Sequence, residues 1–354
     1  MNLAHWHREV SHQLQCLHFD RLYPGFHSYD FALYDGEQMC LNGEIAPCPP
    51  EFLGNTAITY KGRELAIWFL DDTSLPATPE QLAADLVHEM FHCFQREHGE
   101  HRFPDDLSLL NDPSGEEDFW QKREENRCLA AACRNADRSL LLRFCEIRNS
   151  RLSSLGEAAE QELRVETVEG VAEFVGRKTL RDLHPESYTL AQEASLQRLQ
   201  EPADLIFDPR RISYDVGVIF CLTLEALGLT VKNDFNNQVL YHQNRLTADA
   251  AAATLPCNQG FSLQYRNYKG GKQAAIRPFL DTGTYIPYSA RICGYDPMNM
   301  LREGEFLLCR HFVFFNNGTV TSGLQEPVLL KLHHGSDHHI DGYFRAPTQA
   351  QKES

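Results

Sequence analysis

The chain has 354 residues, 42% of them hydrophobic and 10% aromatic, which is enough material to bury a sizeable core. Its formal charge of −16 repels polyanions and argues against nucleic acid as a general partner. No apolar run approaches the roughly 18 residues of a membrane-spanning helix, and MNLAHWHREVSHQLQ lacks the apolar centre of a signal peptide, so no membrane partner and a cytoplasmic location are expected.

An amphipathic stretch opens the chain, and a segment punctuated by Pro, Gly and Cys follows, ending in CPPEFLG. Asn55 to Tyr60 and Arg63 to Leu70 are rich in β-forming residues and flank Lys61-Gly62, which predicts a hairpin. A helix start comes next, with Thr78 as N-cap, Pro79 at the first helical position and Gln81 completing a capping box before a periodic run to Gly99. Leu82, Leu86, Met90 and Phe94 repeat at helical spacing, so this helix should be buried. Residues 99–117 read as a loop placed to cover a cleft.

From about residue 117 to 200 nearly continuous helix is expected, broken near Asn135-Ala136-Asp137 and again at His184-Pro185, with a further helix from Tyr214 to Gly228. After Pro256, short apolar runs between Gly, Asn and Pro predict that the last hundred or so residues are mostly β. The expected fold is α+β. It comprises a mixed region at 1–76 with substrate-side strands, a helical core at 77–250 and a β-rich region at 251–354. Eleven cysteines, an odd number without a CxxC pair, read as reduced thiols.

The chemistry centres on HEMFH at positions 88–92. His88 and His92, four residues apart on a helix, project from one face and can bind a single Zn²⁺, with Glu89 beside the ion's open side. A catalytic zinc needs a third protein ligand, and the best source is RVETVEGVAEFVG at 164–176. Glu166, Glu169 and Glu173 share one helical face there, beside an apolar stripe of Val165, Val168, Ala172 and Val175. Stacked carboxylates repel unless a cation sits among them; the other reading is a solvated acidic face.

HEMFH followed by VEGVAEFVG resembles the gluzincin branch of zinc peptidases, in which HExxH on one helix is completed by a glutamate from an EGxAE-like sequence on a later helix. The resemblance implies a zincin-like fold and one zinc per chain, held by His88, His92 and Glu169. Glu173 then hydrogen-bonds a ligand histidine and fixes its tautomer. Glu166 remains an alternative to Glu169, or a supporting carboxylate beside it. Val168 stands where the family usually has asparagine, and the 76 residues between His92 and Glu169 require an inserted helical pair. ISYDVGVIFCLTLEALG at 212–228 is similar to the YxxG helix of M1-type aminopeptidases, which implies that Tyr214 donates to an oxyanion.

The β runs upstream of HEMFH could hold a peptide substrate by strand addition. No GxMEN-like sequence precedes the motif, so preference for a free amino terminus does not carry over. His333, His334, His338 and His339 read as a polar turn, His98 and His101 likewise, and Cys93 as a core thiol. The leading expectation is a zinc metallopeptidase with Glu89 as general base, acting on peptides or proteins. The alternatives are a non-catalytic zincin used for binding or regulation through the C-terminal region, and a metal-free helix core containing the His pair.

Overall fold

The structure, a computed structural model, describes residues 2–71, 78–111, 115–247 and 259–346. Helices α1 (Leu3–Gln15) and α2 (Phe19–Leu22) precede strands β1 (Asp30–Tyr34), β2 (Gln38–Leu41), β3 (Glu44–Pro47), β4 (Thr56–Tyr60) and β5 (Arg63–Phe69). These form one sheet in the order β3-β2-β1-β5-β4, with β1 and β5 parallel and the other neighbours antiparallel. The expected hairpin is β4–β5. Lys61 and Gly62 both have positive φ, 49° and 78°, the turn geometry that matches strand twist. β1 is apolar on both sides because both are covered: Phe31 and Leu33 enter the helical core, while Ala32 and Tyr34 pack with Phe52 and Ile67.

Helix α3 (Pro79–Glu97) packs on this sheet and carries HEMFH. Thr78 caps it by accepting from the Gln81 N–H at 3.2 Å, but the Gln81 side chain donates to Asp85, so the capping box is half formed. Next come α4 (Asp106–Leu109), α5 (Gly115–Asn135), α6 (Arg138–Leu155), α7 (Glu157–Leu183), α8 (Pro185–Gln200), α9 (Pro209–Ala226) and α10 (Leu240–Asn244). Breaks fall at Ala136 and His184, as expected, and a third at Gly156, whose φ of 54° suits glycine and separates α6 from α7. α9 starts five residues earlier than expected, because Asp208 caps it and Pro209 fits its first turn.

Leu3, Val10, Leu14 and Phe31 share one apolar core with Leu86, Met90, Val171 and Val216, so the N-terminal region and the helices are packed as one body. The expectation that the chain turns to β soon after Pro256 is corrected by α11 (Gln259–Thr282), a 24-residue helix. Gly270, Gly271 and Pro278 disguise it, and packing of Ile276 and Phe279 on Leu308 and Leu329 outweighs their poor helix propensity.

The β-rich part begins only at β6 (Thr284–Tyr295) and continues through β7 (Met300–Glu303), β8 (Phe306–Cys309), β9 (Val313–Asn316), β10 (Thr321–Leu324), β11 (Val328–Leu332) and β12 (His339–Arg345). Their order is β10-β9-β6-β12-β11-β8-β7, antiparallel throughout. Leu308 and Leu329 face α11, while Leu307, Val328 and Leu330 form the core on the opposite face. The fold is a mixed α+β one, and among the described residues no helix is long and apolar enough to cross a membrane.

Candidate metal centre

Two close helix crossings assemble the site. A Cβ added to Gly176 on α7 would lie 3.1 Å from the Ala84 carbonyl oxygen and 3.5 Å from the His88 Cβ on α3. A Cβ on Gly170 would lie 2.5 Å from the Gly217 Cα on α9. The glycines of VEGVAEF and YDVG therefore meet backbone to backbone, and α7 is pressed against a helix on either side.

These crossings bring His88, His92 and Glu169 together, the group of His, Cys, Asp or Glu donors close enough to share a metal ion among the described residues. The Nε2 atoms of His88 and His92 lie 3.2 Å apart, and Glu169 Oε2 lies 3.2 Å from His92 and 3.6 Å from His88. Three ligands at tetrahedral zinc distances of about 2.0–2.1 Å would be separated by about 3.3–3.4 Å, so the triangle has the right size. Its donor types, two imidazoles and a carboxylate, also suit zinc.

Each ring is held from behind. His92 Nδ1 lies 2.7 Å from Gln95 Oε1, and the fully buried Gln95 donates in turn to the Val168 carbonyl at 3.0 Å. His88 Nδ1 lies 3.3 Å from Glu173 Oε2, while the other oxygen of Glu173 accepts from Arg177 at 2.7 Å. With both Nδ1 protons committed to these acceptors, both Nε2 atoms face inward, and a proton or a metal cation must stand between them and the carboxylate.

In the metal-free protein a proton takes that place. Burial opposes a charged His88, but hydrogen bonds to Glu169 and Glu173 outweigh it and hold its pKa well above 6.5. Burial likewise pushes Glu169 upward, and the adjacent histidines with Arg210 more than reverse this, holding it well below the usual carboxylate range. Glu173 behaves in the same way. Burial is overcome by His88 and Arg177, and the carboxyl falls to about 2.

Glu89 is 8% exposed and makes no hydrogen bond to another protein group among the described residues. Burial raises its pKa despite the two histidines, bringing a potential base closer to neutrality. The Tyr214 ring lies parallel to that of His88, with centroids 6.2 Å apart, and burial followed by the Glu169 charge keeps its phenol protonated well past its ordinary range. His88, Glu89, His92, Glu169, Glu173 and Tyr214, with Asp85, Arg177 and Arg210 beside them, line a cleft of about 780 Å³. Asn55 and Thr56 at the start of edge strand β4 border it on one side, and Tyr295, Met298 and Phe312 from the C-terminal region on another.

Glu166 lies elsewhere. It is 1% exposed and forms a two-pronged pair with Arg148 at 2.6 and 2.9 Å, which corrects its expected place at or beside the metal. The C-terminal histidines take separate partners: His333 pairs with Asp341, His339 with Ser336 and His338 with Asp105. His98 bonds the Phe94 carbonyl through Nδ1, and burial raises the Cys93 thiol to about 12, in keeping with a core thiol. Residues 99–117 include α4, and their positions 112–114 lie outside the described residues.

Comparison with the known protein families, with curated proteins and with solved structures finds no match to this chain. Four site residues escaped the sequence reading: Gln95, Asp85, Arg177 and Arg210. Gln95 falls three residues after His92 and seven after His88, so it shares their helix face, and that spacing was the available signal. Arg210 falls four residues before Tyr214. Reading Asp208-Pro209 as a helix start would have placed both on one face.

Proposed function

We propose that the protein is a zinc-dependent peptidase of the gluzincin type, with His88, His92 and Glu169 as metal ligands. The observation that carries this reading is the inward convergence of two Nε2 atoms and one carboxylate oxygen, each fixed from behind, in an open cleft beside Glu89, which has no hydrogen-bond partner among the described residues. Close packing of α3, α7 and α9 supports a zincin-like arrangement, and the α5–α6 pair stands where an inserted helical pair was expected. A zinc ion held there supplies a Lewis acid that polarises the scissile carbonyl and acidifies water.

The remaining chemistry belongs to the side chains. Glu89 accepts the proton of the attacking water at its carboxylate and returns it to the departing amine nitrogen. The Tyr214 phenol, kept protonated, donates to the oxygen that gains charge as the carbonyl is attacked. Edge strand β4 borders the cleft, so an extended peptide can add to it through backbone hydrogen bonds.

Elemental analysis after zinc loading, combined with cleavage of a mixed peptide library, tests the proposal. One zinc per chain and cleavage that falls at least about 10²–10⁴-fold in Glu89→Gln, with zinc retained, is the expected result. Zinc without cleavage would instead favour a binding or regulatory protein. Absence of zinc after loading would leave the His pair as a structural element of the helix.

A further inference from the structure

Glu169 has two carboxylate oxygens, and the structure gives them different partners. Oε2 faces the imidazoles, whereas Oε1 accepts from the Arg210 guanidinium at 3.0 Å. Arg210 lies in the first turn of α9, with its side chain 11% exposed, and its other terminal nitrogen pairs with Asp106 on α4. A guanidinium presents a rigid fork of donors, so one group can hold two carboxylates in a fixed mutual orientation. A lysine nitrogen cannot reproduce that fork.

Asp106 is anchored in turn by the C-terminal sheet. Its neighbour Leu107 is 1% exposed and belongs to the apolar cluster that contains Leu307, Val328 and Leu330. On the other side, Asp105 accepts from His338 at 2.9 Å. Arg302 reaches the Leu107 carbonyl at 3.4 Å and Asp337 at 2.7 Å, and Ser108 donates to Asp337 at 3.1 Å. An unbroken series of contacts therefore runs from the β-rich region through α4 and Arg210 to Glu169, the one carboxylate of the His88–His92–Glu169 group.

We propose that Arg210 is a positioning residue for the metal. Held by Asp106, it occupies Oε1 of Glu169, so that Oε2 alone is presented to the ion and a coordination position stays open for water. The C-terminal sheet thereby contributes to the site without supplying a ligand, by fixing the helix that carries Asp106. This inference rests on the metal-site reading given above.

The test uses the full-length protein stripped of metal. Zinc affinity is measured by competition with a chromophoric chelator, and coordination by the visible absorption of the cobalt-substituted protein. Arg210→Met is expected to weaken zinc binding by about 10- to 100-fold, the usual effect of losing a partner that orients a ligand. Its cobalt absorption should also fall in intensity, because the freed Oε1 of Glu169 can join the ion as an additional donor.

Arg210→Lys keeps the charge without the fork and should lie between Arg210→Met and the wild type. Asp106→Asn should shift both readouts in the same direction by less. Circular dichroism and thermal unfolding identify the folded variants, and the Lys and Asn variants carry the comparison if Arg210→Met does not fold. Folded variants with wild-type zinc affinity and cobalt absorption would overturn the role of Arg210 while leaving the metal site standing. A wild-type protein that takes up neither ion would overturn both.

Discussion

Two buried clusters of charged groups share helix α7 and follow opposite rules. Towards α5 and α6, Asp118, Glu125, Glu162 and Glu166 interleave with Lys122, Arg148 and Arg151, each acid paired with at least one of these cations. Towards α3, by contrast, Oε2 of Glu169 meets the Nε2 atoms of two imidazoles. The first cluster carries its cations within the chain. In the second, Arg210 and Arg177 each take one oxygen of Glu169 and Glu173, and the gap between Glu169 Oε2 and the two rings is left to a proton or, on the reading proposed above, to a metal ion.

Removing one group from each cluster should produce different failures. His92→Ala is expected to reduce bound zinc from one equivalent to near none, while the metal-free variant keeps most of its stability, as read by elemental analysis and denaturant unfolding. Arg148→Met should do the reverse. Arg148 is 1% exposed, and its loss leaves Glu166 and Glu125 buried without that partner, at a cost of about 3–5 kcal/mol. The protein that remains folded should still bind zinc with unchanged stoichiometry. If Arg148→Met removed the metal as effectively as His92→Ala, the two clusters would not be separate devices.

A third substitution acts on the boundary between them. Gly170→Ala puts a methyl group within 2.5 Å of the Gly217 backbone, where no flexible side chain can yield, so α7 and α9 must move apart. A cost of about 3 kcal/mol is expected in denaturant unfolding. Zinc affinity should fall as well, because Glu169 and Arg210 lie on the two helices being separated. Stability lost with affinity intact would mean that the crossing serves the fold alone.

The parts of this contrast that were legible in the sequence are the local ones. HEMFH, the Thr78 cap and the β4–β5 hairpin depend on residues a few positions apart, and propensity and spacing suffice to place them. The choice between Glu166 and Glu169 is of another kind. Three residues on a helix differ by only about 60° in direction, and whether that arc faces α3 or α6 is decided by the glycine crossings rather than by the stripe itself. Helix α11 was hidden for a related reason, since Gly270, Gly271 and Pro278 argue against it and only its packing on the sheet argues for it.

The smallest predicted effect compares one carboxylate from each side. Glu162 is buried, yet Arg151 and Lys122 overcome the burial and hold its pKa at about 2. Asp85, half-buried on the cleft wall, has only Gln81 as a hydrogen-bond partner among the described residues, and its partial burial, helped by the nearby Glu173 and Glu89, raises its pKa to about 6. A carboxyl whose folded pKa lies above its unfolded value of 3.8 binds more protons in the folded state, so its contribution to stability falls as pH rises from 3.8 to about 6. Above that window the ionised group is a constant cost. Asp85→Asn should therefore stabilise the metal-free protein at pH 7.5 by up to about 3 kcal/mol, and by less where water in the cleft screens the charge. The gain should vanish below about pH 4, where Asp85 is neutral in both states. Denaturant unfolding at both pH values measures it, and a gain of equal size at both would show that Asp85 is not ionised against the pull of its surroundings.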